Sequence, residues 1–114
     1  MAKSLPAGPL RRPPTHPGYL LAGMLEEQGI SPRAAAKAIG MSHTGLVKVL
    51  KGQAPVAPAT ALRVGKWLGN GPELWLNMQQ ACDLWHAERK LAGALAKIEQ
   101  LPRGAAPTAK RRAG

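Results

Sequence analysis

Phenylalanine is absent from this chain, cysteine occurs once, and acidic residues number six against sixteen lysines and arginines. Each shortage excludes something. With aromatics at 4%, aliphatic side chains and three tryptophans must build the interior. A single cysteine, Cys82, cannot close an intrachain disulfide, which fits a reducing compartment. No apolar run is long enough to cross a bilayer, and no charged start is followed by an apolar stretch as in a secretory leader. A cytoplasmic protein with no membrane partner is therefore expected. The acids Glu26, Glu27, Glu73, Asp83, Glu88 and Glu99 form no evident pair with a histidine. There is no phosphate-cradling glycine loop and no nucleophile motif, so neither enzymatic activity nor a cofactor is expected.

What remains is a chain of 114 residues, 45% hydrophobic, with a net charge of +10. That length supports one domain with one core. Residues 16–101 carry nine basic and six acidic side chains, so most of the excess charge sits at the ends. Lys3, Arg11 and Arg12 lie in residues 1–15, and Arg103, Lys110, Arg111 and Arg112 in residues 102–114. A small protein this basic is drawn to polyanions, DNA above all. Residues 1–15 contain Pro6, Pro9, Pro13 and Pro14 and bury too little to offset the entropy of ordering. They read as a flexible Pro-rich segment, and residues 102–114 as a disordered basic tail.

The stretch from Ser31 to Gly52 has four basic residues, Arg33, Lys37, Lys48 and Lys51, and no acidic one. Ser31 can cap a helix that has Pro32 in its first position, and Gly40, after Ile39, can stop it. Ser42 offers a second cap. Leu46, Val49 and Leu50 then recur at helical spacing up to Gly52. Leu46 and Val49 should face inward, leaving His43, Thr44, Val47, Lys48 and Lys51 outward. Ala36 is small enough to let the two helices approach closely. The pattern is a helix-turn-helix, a motif that places its second helix in the DNA major groove.

Other helices flank this pair. Pro17 to Gln28 forms the first, with Leu20, Leu21, Met24 and Leu25 as its apolar face and Gly29 as its stop. Pro58 opens a fourth helix whose apolar face is Ala61, Leu62, Val64, Gly65 and Leu68, ended by Gly69. A fifth is expected from Pro72 to about Leu101, where Pro102 forbids continuation. Leu84, Leu91, Leu95 and Ile98 lie on one stripe of it. The expected architecture is all-α: five helices, the fifth of them long and packed against another chain.

HPG at 16–18, the helix-turn-helix, PATALRVGKWLG at 58–69 and PELWLNMQQACDLW at 72–85 together resemble HigA-type antitoxins of bacterial toxin–antitoxin modules. The resemblance covers about residues 15–88. It implies a phage-repressor-like, dimeric DNA-binding protein. Such a protein represses its own operon and neutralises a HigB-type toxin, a small ribosome-dependent ribonuclease. It also implies that Ser42, His43, Thr44 and Lys48 face the groove and that Arg33, Lys37 and Lys51 contact the DNA backbone. Trp75, Leu76, Asn77, Gln79, Leu84 and Trp85 match the signature helix. Three positions depart from the family pattern: Pro32 stands where Gln is frequent, Ala35 where Leu is usual, and Tyr19 where an acidic residue commonly follows HPG.

The chemistry of these positions suits base reading. Thr44 can donate, accept or touch a thymine methyl; His43 can pair with guanine or phosphate; Lys48 can reach guanine acceptors or the backbone. Gly45 allows close approach to the sugar-phosphate chain. One helix-turn-helix reads few bases, so a two-fold homodimer is expected, its recognition helices about 34 Å apart. Trp75, Leu84, Trp85, Leu91 and Leu95 are the candidate dimer or partner interface, although tryptophans at helical spacing are commonly core. Cys82 and His86, one turn apart, could supply half a zinc site. Nothing else completes it, so no metal site is expected and Cys82 reads as a small buried apolar residue. Toxin contact should use the near-neutral body around Glu26, Glu27, Glu73, Asp83 and Glu88. Two alternatives stay open: a stand-alone repressor with no toxin partner, and an architectural DNA-coating protein driven by the basic tails.

Overall fold

The computed structural model describes residues 12–102. These contain six helices and no strand: α1 (Pro17–Gln28), α2 (Pro32–Ile39), α3 (His43–Leu50), α4 (Pro58–Leu68), α5 (Glu73–Lys90) and α6 (Ala92–Ala96). The all-α reading holds, and the first four helices begin and end where caps and glycines placed them. The expectations for residues 1–11 and 103–114 lie outside the described residues.

Local chemistry sets the boundaries. Proline opens α1, α2 and α4, where its missing N–H is no loss. His16 Nδ1 accepts from the Gly18 amide at 2.9 Å and caps α1. Ser31 Oγ does the same for α2 from Ala34, at 3.0 Å. The first three helices share one ending. A glycine with positive φ (Gly29, Gly40, Gly52) donates back three residues, and the next residue donates back five, as in Ile30 to the Leu25 carbonyl oxygen, 2.8 Å. This double bond set satisfies the orphan carbonyls of the last turn.

The fifth helix is shorter than its sequence suggests. It stops at Lys90, Leu91 leaves helical geometry at φ −98° and ψ 8°, and the five-residue α6 follows. Every residue from His86 to Pro102 is exposed. Without tertiary burial a helix relies on propensity alone, which barely sustains a short segment, and Gly93 costs about 1 kcal/mol relative to alanine. The stripe of Leu84, Leu91, Leu95 and Ile98 is therefore broken up: Leu84 lies in α5, Leu91 at the junction, Leu95 in α6 and Ile98 beyond it.

The core gathers Leu21 and Leu25 from α1, Ala35, Ala36 and Ile39 from α2, Leu46, Val49 and Leu50 from α3, and Ala61 and Val64 from α4. Val56, from the loop before α4, and Trp75 complete it. Helix α3 packs on α1 and α2, and α4 joins α2 to α5. Trp75 corrects an expectation. Proposed for an interface with another chain, it is 0% exposed within this subunit, and its indole N–H donates to Asn70 Oδ1 at 3.1 Å. The close join of α4 to α5 encloses it. Gly65 has no side chain, and a Cβ there would lie 2.7 Å from the Pro72 nitrogen and overlap the Gly71 carbonyl. Leu20 and Leu62, assigned to apolar faces by spacing, are 37% and 60% exposed, because the buried arcs of α1 and α4 are narrower than the apolar ones.

Candidate nucleic-acid interface

Ser42 begins the site. Its hydroxyl oxygen accepts from the Gly45 amide at 3.0 Å and starts α3, while its O–H proton is left to donate elsewhere. Gly45 has a reason that spacing did not supply: a Cβ there would sit 2.9 Å from Ser42 Oγ and crowd the cap. Along α3, Leu46 is 0% exposed and Val49 3%, which settles the helix's rotation about its own axis. Thr44, Lys48 and Lys51 are consequently exposed together with Ser42, and His43, Gly45 and Val47 are half-buried. Arg33 and Lys37 on α2 are exposed as well. All nine candidate positions thus reach the surface on the two helices of the motif, with no carboxylate between Ser31 and Gly52 to offset the charge.

Contacts from distant parts of the chain hold this pair of helices, and sequence reasoning missed them. Arg63 on α4 reaches the end of α2, donating from Nη1 to the Ile39 carbonyl at 2.8 Å and more weakly to that of Gly40 at 3.4 Å. A guanidinium at the carbonyl end of a helix also complements its dipole. Gln79 on α5 holds the loop after α3. Its Oε1 accepts from the Val56 amide at 2.8 Å, and its Nε2 donates to Asp83 Oδ1 at 2.9 Å. Tyr19 Oη donates to the Lys51 carbonyl at 3.2 Å. Gly18 lets the backbone of α1 lie directly on the Val49 carbonyl, which any Cβ would overlap. Nothing local marks Arg63, and the family resemblance singled out HPG and Gln79 without showing what either holds.

Arg63→Met keeps the side chain's stem and removes the bonds. We expect it to lower unfolding stability by about 1 kcal/mol, as for a single partly exposed hydrogen bond to a charged group. Urea denaturation reads this directly, and a midpoint equal to wild type would show that Arg63 does not brace α2.

The two residues of the half zinc site serve other bonds. Cys82 Sγ donates to the Pro14 carbonyl at 3.1 Å, and His86 Nδ1 donates to the Cys82 carbonyl at 2.8 Å. Burial, and then the Asp83 carboxylate, push the Cys82 thiol above its ordinary pKa, as expected for an inert structural cysteine. Among the described residues no three His, Cys, Asp or Glu side chains converge on a possible metal position, and no helix is long and apolar enough to cross a membrane.

No family model matches the chain, but individual proteins do. It is 38% identical over 87 residues to virulence-associated protein I of Dichelobacter nodosus, covering 75% of this chain and 81% of that one. It is 36% identical over 80 residues to antitoxin HigA-1 of Vibrio cholerae, covering 70% of this chain and 75% of the antitoxin. Among solved structures, antitoxin GraA in complex with its operator superposes with a TM-score of 0.75 at 31% identity, spanning 86% of this chain and 99% of that one.

Proposed function

We start from the premise that the chain belongs to the HigA-type antitoxin family, and we propose that it is an antitoxin and autorepressor. On this reading it binds operator DNA through α2 and α3 and is a regulatory protein rather than an enzyme. One observation carries the proposal: a capped, acid-free helix pair presents Thr44, Lys48 and Lys51 outward while Leu46 and Val49 anchor the reading helix from beneath. In the DNA complex Ser42, His43, Thr44 and Lys48 meet base edges, and Arg33, Lys37 and Lys51 meet phosphates. Gly45 and Val47 form the floor that comes closest to the sugars and methyl groups.

The homodimer belongs to the same proposal. Two copies are needed to cover two half-sites, and Leu84, Leu91 and Leu95, exposed by 57%, 48% and 45%, offer apolar surface beside Trp85. The toxin partner is of the HigB type, bound by the near-neutral body, and the protein acts in the cytoplasm.

Lys48→Ala tests the DNA reading. If Lys48 pairs with guanine, the substitution costs about 1–3 kcal/mol at one base position. If it meets only phosphate, binding weakens evenly on every sequence and the slope of log affinity against log salt falls by about 0.9. The measurement is a titration of the DNA upstream of the gene and of a scrambled duplex across several salt concentrations. Wild-type affinity on both would remove Lys48 from the interface. Co-expression with the adjacent reading frame tests the toxin assignment, which requires a stable complex that suppresses ribonuclease activity.

A further inference from the structure

The start of α1 and the end of α3 meet through a small exposed group of residues that base reading does not require. Tyr19 is 54% exposed, yet its hydroxyl is fixed on the carbonyl of Lys51, the residue that ends the recognition helix. Its ring lies against His16, with centroids 5.8 Å apart, so the side chain is braced from behind as well. The tip of Tyr19 covers Gly52, whose φ is +73°; a Cβ there would come within 2.7 Å of Tyr19 Oη. Gly52 and Gln53 complete the double hydrogen-bonded ending of α3, donating to Val49 at 3.0 Å and to Lys48 at 2.8 Å. The backbone that carries Lys51 is therefore bonded on one side by its own helix and on the other by a side chain 32 residues away in sequence.

Lysine benefits from such bracing more than most residues. Its stem has several rotatable bonds, and immobilising a rotamer-rich side chain on binding is costly in entropy. A fixed backbone removes the part of that freedom that a long side chain would otherwise multiply. We propose that Tyr19 is a positioning residue for DNA binding: by fixing the Lys51 carbonyl and covering Gly52, it sets where the Lys51 ammonium meets a phosphate at the C-terminal end of the recognition helix. The inference rests on the DNA-binding reading above and adds to it a residue outside the helix-turn-helix. The contribution is made through Lys51. A neutral hydroxyl displaces no counterion, so Tyr19 strengthens binding without adding to its salt dependence.

The test is a double-mutant cycle of Tyr19→Phe and Lys51→Ala, titrated on a duplex of the DNA immediately upstream of the gene over a range of salt. Tyr19→Phe keeps the ring and loses one hydrogen bond, and it should weaken binding about two- to tenfold, with the net free energy of such a bond as the ceiling. Its salt slope should equal that of wild type. Lys51→Ala should weaken binding and reduce the slope by about 0.9. The double variant should bind as Lys51→Ala alone, because the two residues act as one unit. Wild-type affinity for Tyr19→Phe would overturn the proposal, as would losses that multiply independently in the double variant. If wild type itself fails to bind the duplex, the DNA-binding reading falls and this inference with it. If wild type binds and the cycle shows no coupling, only the role of Tyr19 is lost.

Discussion

Trp75→Ala should lower the stability of this domain by about 3–5 kcal/mol, the range for removing a large aromatic from a packed core. The side chain is fully buried and is the largest to be so. Its loss leaves a cavity where α4 and α5 join, and Asn70 Oδ1 loses its indole donor. Small domains have only about 5–15 kcal/mol in total, so a large share of the folded margin disappears. In thermal unfolding each kcal/mol corresponds to about 4–8 °C for a domain of this size. Trp75→Phe separates the contributions by retaining most of the volume while removing the N–H. It should fall between wild type and Trp75→Ala. If Trp75→Ala unfolds within 1 kcal/mol of wild type, the tryptophan is not the centre of this core.

The second large effect comes from one methyl group. In Gly18→Ala the new Cβ would overlap the Val49 carbonyl oxygen and lie 2.8 Å from its carbon. Backbone atoms cannot swing aside, so α1 and α3 must separate. Overpacking costs about 1–3 kcal/mol where side chains can adjust, and here the obstacle is main chain, so the upper end or beyond is expected. A displaced α3 also carries its exposed face away from the DNA, so the folded fraction itself should bind more weakly. Gly23, one and a half turns later on the same helix, supplies the control. A Cβ there meets nothing within 4 Å, so Gly23→Ala should stabilise the domain by about 0.5–1 kcal/mol. Comparing the two unfolding curves checks the argument by sign as well as size. A neutral Gly18→Ala would mean that the close contact of α1 with α3 is not needed.

How legible was all this in the sequence? The helix-turn-helix was, because its signals are local: a serine whose hydroxyl reaches an amide three residues on, a proline at a first turn, a glycine after the last apolar residue. Each of Ser31, Pro32, Gly40, Ser42 and Gly52 plays the part its chemistry suggested. The supports of that unit were not legible. Arg63 to Ile39, Gln79 to Val56 and Tyr19 to Lys51 join residues 24, 23 and 32 positions apart, and no periodicity records such distances. Trp75 shows a different limit. An aromatic at helical spacing looks the same whether its face turns toward its own subunit or toward another, and only the close α4–α5 contact through Gly65 and Gly71 decides it. The length of the fifth helix was misjudged for a related reason. Residues 86–101 are composed like a helix, but composition does not show that every one of them stays exposed.

The division of labour within α3 bears on how such a protein can change its target. Caps, buried leucine and valine, and braces from α1, α4 and α5 make no use of the Thr44 and Lys48 side chains; the ending of α3 takes only the Lys48 backbone carbonyl, which any residue supplies. On the proposed reading, a lineage could therefore exchange those two side chains for others, and with them the DNA letters it recognises, while folding stayed nearly untouched. Ser42 and Gly45 differ: the Ser42 hydroxyl caps the helix and a Cβ at Gly45 would crowd it, so a change at either would alter both the proposed DNA-facing surface and the start of the helix.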